Sequence, residues 1–328
     1  MKKWFKTLCE DVITFISPYI KNDETWIRFT YFLSHHRSVN LKAPKRFNDK
    51  LQWLLLNYHD WSYTDMVDKY RVKPIVAKII GENHIIPTYG AWDSFDKIDF
   101  DSLPDQFVLK CNHDSGGLVI CTDKSKLDKN AARKKIMKSL KKNFYYRTRE
   151  YAYKNVKPVV LAEKYMVDDT GWQLKDYKVF CFNGEPTYIE VDYDRFVGHK
   201  LNVYDLNWNF VDFYMTSKND PNANIKKPAK FETMIEMARK LAKGTPFVRV
   251  DFYINQNDEI FFGEMTYTPG TGHIHFTPDD WDFKLGELLI LPEKNVYVKG
   301  CISNKNSLLG MFCPHTLYGY TTFCRYYN

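Results

Sequence analysis

The sequence predicts an α+β protein: a mainly helical N-terminal region, then a series of antiparallel hairpins with few helices between them. Three observations carry this. Residues 48–80 repeat apolar side chains at helical spacing. Asn183-Gly184 stands between two runs of β-forming residues, the strongest short hairpin signal. The stretch FVRVDFYINQNDEIFFGEMT places β-branched and aromatic residues on both sides of a polar Asn257-Asp258 turn.

In chain order, residues 48–56 (NDKLQWLLL) and 64–80 show helical spacing, with Asp65 and Asp68 early in the second stretch. Pro74 either breaks that stretch or opens a new helix at its first position. Residues 106–121 (QFVLKCNHDSGGLVIC) read as strand, glycine turn, strand, and 125–155 as one charged helix. Residues 159–166 form a buried strand beginning just after Pro158, followed by a polar VDDTG turn. Residues 175–191 form the Asn-Gly hairpin, and 201–214 add strand. A polar loop over 219–230 leads to an amphipathic helix over 231–243, the second hairpin and a short helix over 281–291. The tail after Pro292 shows little periodicity and has no role that the sequence reveals.

The chain has 328 residues, enough for a large core and two or three subdomains, and 44% hydrophobic residues are ordinary for a globular protein. Aromatics are abundant, with 23 Tyr and 23 Phe, which suits either core filling or the stacking of sugars and bases. The net charge is +7, with the densest basic run at 124–142. That run reads first as a solvated helix face; the sharper alternative is attraction to an anionic nucleotide, polysaccharide or membrane surface. No nucleic-acid-binding motif of the usual kinds is present. The seven cysteines include no Cys-x-x-Cys pair, so reduced thiols in the cytoplasm fit better than zinc or a disulfide framework. Glu10 and Asp11 interrupt the first twenty residues, which excludes a signal-peptide core. Packing on the body suits this stretch best, with peripheral association as an amphipathic helix at a membrane's inner face as the alternative.

The chemistry concentrates in the second hairpin. Folding about Asn257-Asp258 sets Asp251 opposite Glu264 and Arg249 opposite Thr266, and alternation puts Arg249 and Asp251 on one face. Facing carboxylates repel, and a hard cation such as Mg²⁺ would remove that repulsion. FVLKCNHDSGG ends a strand near Lys110 and turns through Ser115, Gly116 and Gly117, a pattern that lets backbone N–H groups approach phosphate or simply makes a hairpin. His113 in this turn suits phosphate contact or a satisfied turn equally. His273 and His275 alternate on a strand-like segment, so both face one way, where substrate contact fits better than metal. His35-His36 reads as surface or capping.

In this order the residues resemble the ATP-grasp superfamily, and within it the TupA-like branch named for teichuronopeptide biosynthesis. The phrases RFNDKLQWLLL, MVDKYRVK, LPDQFVLKCNHDSGG, DYKVFCFNGEP and FVRVDFY…IFFGEMTYTPGTG carry the resemblance over about residues 45–292. It implies an α+β ATP-grasp fold with nucleotide between a small lid lobe and a larger C-terminal lobe. Its segments would be a helical region at 1–60, a short α/β segment at 61–105, the lid at 106–165, the metal-binding lobe at 166–292 and the tail at 293–328. Lys73, Lys110 and Lys178 would neutralise ATP phosphates, with Ser115, Gly116 and Gly117 as the lid's glycine loop. Glu163, Lys164, Tyr165 and Met166 would form the adenine hinge, with Asp168 or Asp169 near the ribose. Asp251 and Glu264 would hold Mg²⁺. The last ligand position, usually Asn, is Thr266 here. Arg249 would stabilise an acyl phosphate and its tetrahedral intermediate.

The resemblance implies an ATP-dependent ligase joining an amine or amino acid to a sugar acid in surface-polysaccharide biosynthesis. Two rivals stand beside it. Asp192-Tyr193-Asp194 is an Asp-x-Asp string of the type that holds metal in glycosyltransferases. A non-catalytic nucleotide-binding module is the other, against which Lys110, Arg249, Asp251 and Glu264 argue.

Overall fold

The computed structural model of the protein describes residues 16–293 apart from 196 and 216. The expectations for most of the N-terminal stretch and for the tail, with Cys301, Cys313 and Cys324, lie outside the described residues. The fold opens with helices α1 (Asp23–His35), α2 (Phe47–Asn57), α3 (Tyr63–Val67) and α4 (Val72–Ile80). The break between the last two falls at Asp68, not at Pro74. The Asp68 carboxylate accepts from the backbone N–H groups of Tyr70 and Arg71 at 2.9 and 3.1 Å and so ends one helix and starts the next. Pro74 sits inside the first turn of α4, where a helix has no use for the missing N–H.

Strands β1 (Thr88–Trp92), β2 (Phe107–Cys111), β3 (Leu118–Cys121) and β4 (Val160–Lys164) form an antiparallel sheet in the order β1-β4-β2-β3. Helix α5 (Lys129–Leu140) covers it, setting Ala132 and Ile136 against Phe107, Leu109, Val160 and Ala162. The single helix expected over 125–155 is therefore corrected to α5, then α6 (Phe144–Thr148), then a short 3-10 turn at Tyr151–Tyr153. Asn143 supplies the interruption, since its side chain accepts from the N–H of Tyr145 and starts a new helix.

The larger sheet contains β5 (Asp176–Phe182), β6 (Glu185–Tyr193), β7 (Lys200–Asp205), β8 (Phe210–Val211), β9 (Phe247–Ile254) and β10 (Ile260–Thr266), in the order β10-β9-β5-β6-β7-β8. Asn183 and Gly184 take φ of 53° and 87°, the left-handed pair a two-residue hairpin needs, and Phe182 pairs with Glu185 across them. The strand expected over 201–214 stops at Asp205, whose carboxylate accepts from the N–H groups of Asn207 and Asn209 and turns the chain into β8.

The two faces of this sheet differ. One is apolar along its length: Val179, Val191, Val250 and Phe252 meet Met234, Ala238 and Leu241 of α7 (Phe231–Ala242). The opposite face is divided. At one end Phe180, Phe182 and Phe247 lie beneath α2 and α8 (Asp280–Leu288), packed with Phe47, Leu51 and Leu285. At the other end, alternation in the same strands presents Asp176, Lys178, Glu190, Asp192, Arg249 and Asp251. The Asn48 amide bonds the backbone N–H and C=O of Ile274, and Gln52 donates to the carbonyls of Thr271 and Gly272. Helix α2 therefore fixes the turn that follows β10.

Candidate active site

The hairpin of β9 and β10 has the register the sequence predicts at its functional end: Glu264 opposite Asp251 and Thr266 opposite Arg249. Nearer the turn the pairing is offset by one residue, and a bulge at Gly263 restores it. Gly263 is required there, since a Cβ would lie 3.0 Å from the Asp251 carbonyl oxygen and 2.9 Å from the Tyr253 ring. The facing carboxylates are compensated by cations. Arg249 binds Asp251 with two parallel N–H···O bonds of 2.7 and 2.6 Å and also donates to the Thr266 hydroxyl at 3.3 Å. Lys69 reaches Glu264 at 2.9 Å. Burial pushes Asp251 up to about 6 in spite of Arg249. Burial also opposes ionisation of Glu264, but Lys69 and Arg249 prevail and hold it at about 2.

In the four-stranded sheet the balance is reversed. Lys73, from the first turn of α4, and Lys110, from β2, converge on the buried Glu163 of β4, each at 2.6 Å. Lys73 also donates to the carbonyl of Ile86 at 2.8 Å and to the Thr88 hydroxyl. Burial resists the charge on Glu163, and the two ammonium groups overcome it, so its pKa lies below the ordinary glutamate value. Two cations share one carboxylate, and one positive charge is left over.

Between the sheets lies a cleft of ≈ 400 Å³. Val108, Leu118 and Ile120 give it an apolar wall, Glu163, Lys164, Tyr165 and Met166 follow the edge of β4, and Trp172, Arg195 and Tyr253 face them. Lys110 lines the same space. A flat apolar ring with polar groups at its rim fits this wall, and a polyanion fits the lysine end.

The other expected residues have protein partners or exposed positions. Lys178 bonds Glu190 at 2.8 Å and also Asp192, so it neutralises carboxylates of its own sheet. Gly117 is explained by packing: a Cβ would lie 2.5 Å from the Cys111 sulfur, and its N–H donates to Asp114 at 3.0 Å. Ser115 and Gly116 beside it are exposed. His113 is buried, its ring nitrogens 3.2 Å from the Asn112 side-chain oxygen and 3.2 Å from the Ser139 carbonyl. Asp168 accepts from Thr170 and both Asp168 and Asp169 bind Lys175, at 2.9 and 2.8 Å, which closes the VDDTG turn. Asp192, in the Asp-x-Asp string, is engaged by Lys178 and Arg195. His36 caps α1 in the left-handed conformation, while His35 stacks on His273 and tilts against His275.

The sequence reading missed Lys69, Glu190 and Asp176. Charges at alternate positions of a strand otherwise made of core residues, as in DYKVF and YIEVD, were the available signal for the last two. Lys69 carried none, because only the turn at Asp68 aims it.

The donor set suits magnesium in type, since Asp251, Glu264 and Thr266 offer hard oxygens on one face. Among the described residues no group of three or more His, Cys, Asp or Glu side chains is arranged to hold a metal ion.

Residues 49–290 match the model of the TupA-like ATP-grasp family, so the two sheets and the cleft between them are an ATP-grasp fold. The chain belongs to the TupA-like ATP-grasp family. Among solved structures it is similar to N5-carboxyaminoimidazole synthetase from Staphylococcus aureus, with 15% identity over 62% of this chain and 44% of that one, at a TM-score of 0.36. It is similar to D-alanine–D-alanine ligase from Bacillus anthracis, with 17% identity over 63% of this chain and 57% of that one, at a TM-score of 0.35. The chain thus spans about half the length of these structures. No curated protein matches it.

Proposed function

We propose that the protein is an ATP-dependent carboxylate–amine ligase of surface-polysaccharide biosynthesis, joining an amine or amino acid to a sugar acid through an acyl phosphate. The observation that carries this reading is the pairing of opposite charge imbalances: two lysines on one carboxylate in the small sheet, facing a carboxylate-rich hairpin that carries an arginine in the large one. ATP's base would lie along Glu163 to Met166, and Lys73 and Lys110 would exchange Glu163 for phosphate oxygens. Asp251, Glu264 and Thr266 would hold Mg²⁺, which supplies charge neutralisation for the transferred phosphoryl group. Transfer of the γ-phosphoryl group to the substrate carboxylate needs no protein nucleophile. The amine then forms the C–N bond as the C–O bond to phosphate breaks, and Arg249 supplies charge to the oxyanion between. Segments 61–105, 106–165 and 166–292 would act as the entry segment, lid and metal-binding lobe of such an enzyme.

The test is the nucleotide released when ATP and candidate nucleotide sugars are offered with uronic acids and amines. ADP and phosphate, formed together with an amide, are expected. Release of UDP with a glycosidic bond would replace this reading with the transferase.

A further inference from the structure

A cavity of ≈ 50 Å³ opens beside Tyr267 and Thr268, just past β10, and shares no lining residue with the nucleotide cleft. Its walls are aromatic. Tyr63 and Tyr267 stack with ring centroids 3.7 Å apart, and Tyr151 stacks on His59 at 4.3 Å. Within it lies Glu150, 7% exposed. Glu150 has no ion-pair partner among the described residues; beside it the Thr148 hydroxyl accepts from the Glu150 backbone N–H at 3.1 Å and donates to the Phe144 carbonyl at 3.1 Å. The other titratable groups lining the cavity are Tyr58, His59, Asp60, Tyr63, Tyr151 and Tyr267, with Tyr153 and Glu264 within electrostatic range. Burial, opposed by Thr148 and reinforced by Glu264, pushes the carboxyl up to about 8.

A carboxyl enclosed by aromatic faces, without a cation, keeps its proton and has no counter-ion for its charged form. An ammonium group satisfies both parts, since the ring faces attract it and the carboxylate, its proton given up to solvent, pairs with it. No lysine or arginine lines the cavity, so a carboxylate on the same ligand would find no counter-charge. We propose that this cavity receives the ammonium group of the amine co-substrate, and that it selects amines with no carboxylate on the adjacent carbon. The inference rests on the ligase reading for its catalytic meaning, but the binding it describes does not require ATP.

The experiment is a fluorescence titration of the full chain with ethylammonium and, in parallel, glycine, exploiting Trp61 against Tyr151 at 4.5 Å. Saturable binding of ethylammonium is expected, at least about tenfold tighter than glycine and weakened about tenfold or more by Glu150→Gln. Tyr151→Leu, which leaves the charge in place, should weaken it as well. ATP affinity, followed separately, should be unchanged in both variants. Equal affinity in Glu150→Gln, or a preference for glycine, would overturn the proposal. A wild-type chain that binds ethylammonium but not ATP would sink the ligase reading alone.

Discussion

The two sheets carry charge in opposite excess. In the small sheet, Lys73 and Lys110 converge on one buried carboxylate. On the polar end of the large sheet, Asp176, Glu190, Asp192, Asp251 and Glu264 outnumber Lys178, Arg195, Arg249 and the incoming Lys69. Each side borrows compensation that is geometrically adequate but incomplete. The small sheet therefore favours an anion and the large one a cation. A magnesium nucleotide would meet both demands at once, whereas a simple structural network would balance its charges within each sheet.

The comparison breaks most visibly at Asp251. Asp251→Asn should lower turnover by on the order of 10³-fold, because it removes a hard oxygen from the proposed metal set, while thermal unfolding stays cooperative. Full ADP release by this variant would remove the hairpin from the mechanism. Lys178→Ala should act on stability: it leaves Glu190 and Asp192 short of a buried partner and should cost about 3 kcal/mol in urea unfolding, with ATP affinity nearly unchanged. Lys110→Ala should do the converse, weakening ATP binding about tenfold, as expected for loss of a charged phosphate contact. If these two lysines exchange roles, the assignment of surplus charge to the small sheet is wrong. The smallest effect is on the acid-rich side. The Glu150 carboxyl has a raised pKa of about 8, so the folded state holds a proton that the unfolded state releases near 4.5. Stability should fall as pH rises across that window. Glu150→Gln should therefore match the parent at pH 4 and melt roughly 5 °C higher at pH 9.

Much of this architecture was legible because it depends on local pattern. Asn183-Gly184 and Asn257-Asp258 fix two hairpins through backbone preference, and strand alternation then determines which side chains share a face. The register that sets Glu264 opposite Asp251 and Thr266 opposite Arg249 was read that way. The long helix over 125–155 failed because Asn143 offers a side-chain cap that a count of apolar spacing ignores. The pairing of Lys178 with Glu190 on the neighbouring strand and with Asp192, two residues on, was not legible, because it depends on which strands lie side by side. Lys69 was invisible because its importance depends on a residue near the other end of the fold.

That last pairing gives the site an order of birth. Lys69 emerges from the ribosome early, while Glu264, the carboxylate it binds, is among the last parts of the fold to be made. At about 5–20 residues per second the lysine waits on the order of ten seconds or more for its counter-ion. Lys73 and Lys110 meet Glu163 well before that. A nascent chain can thus complete the anion-seeking half while the cation-seeking half does not yet exist, and a chain cut short before β10 would carry the lysines of this site without its metal-type hairpin.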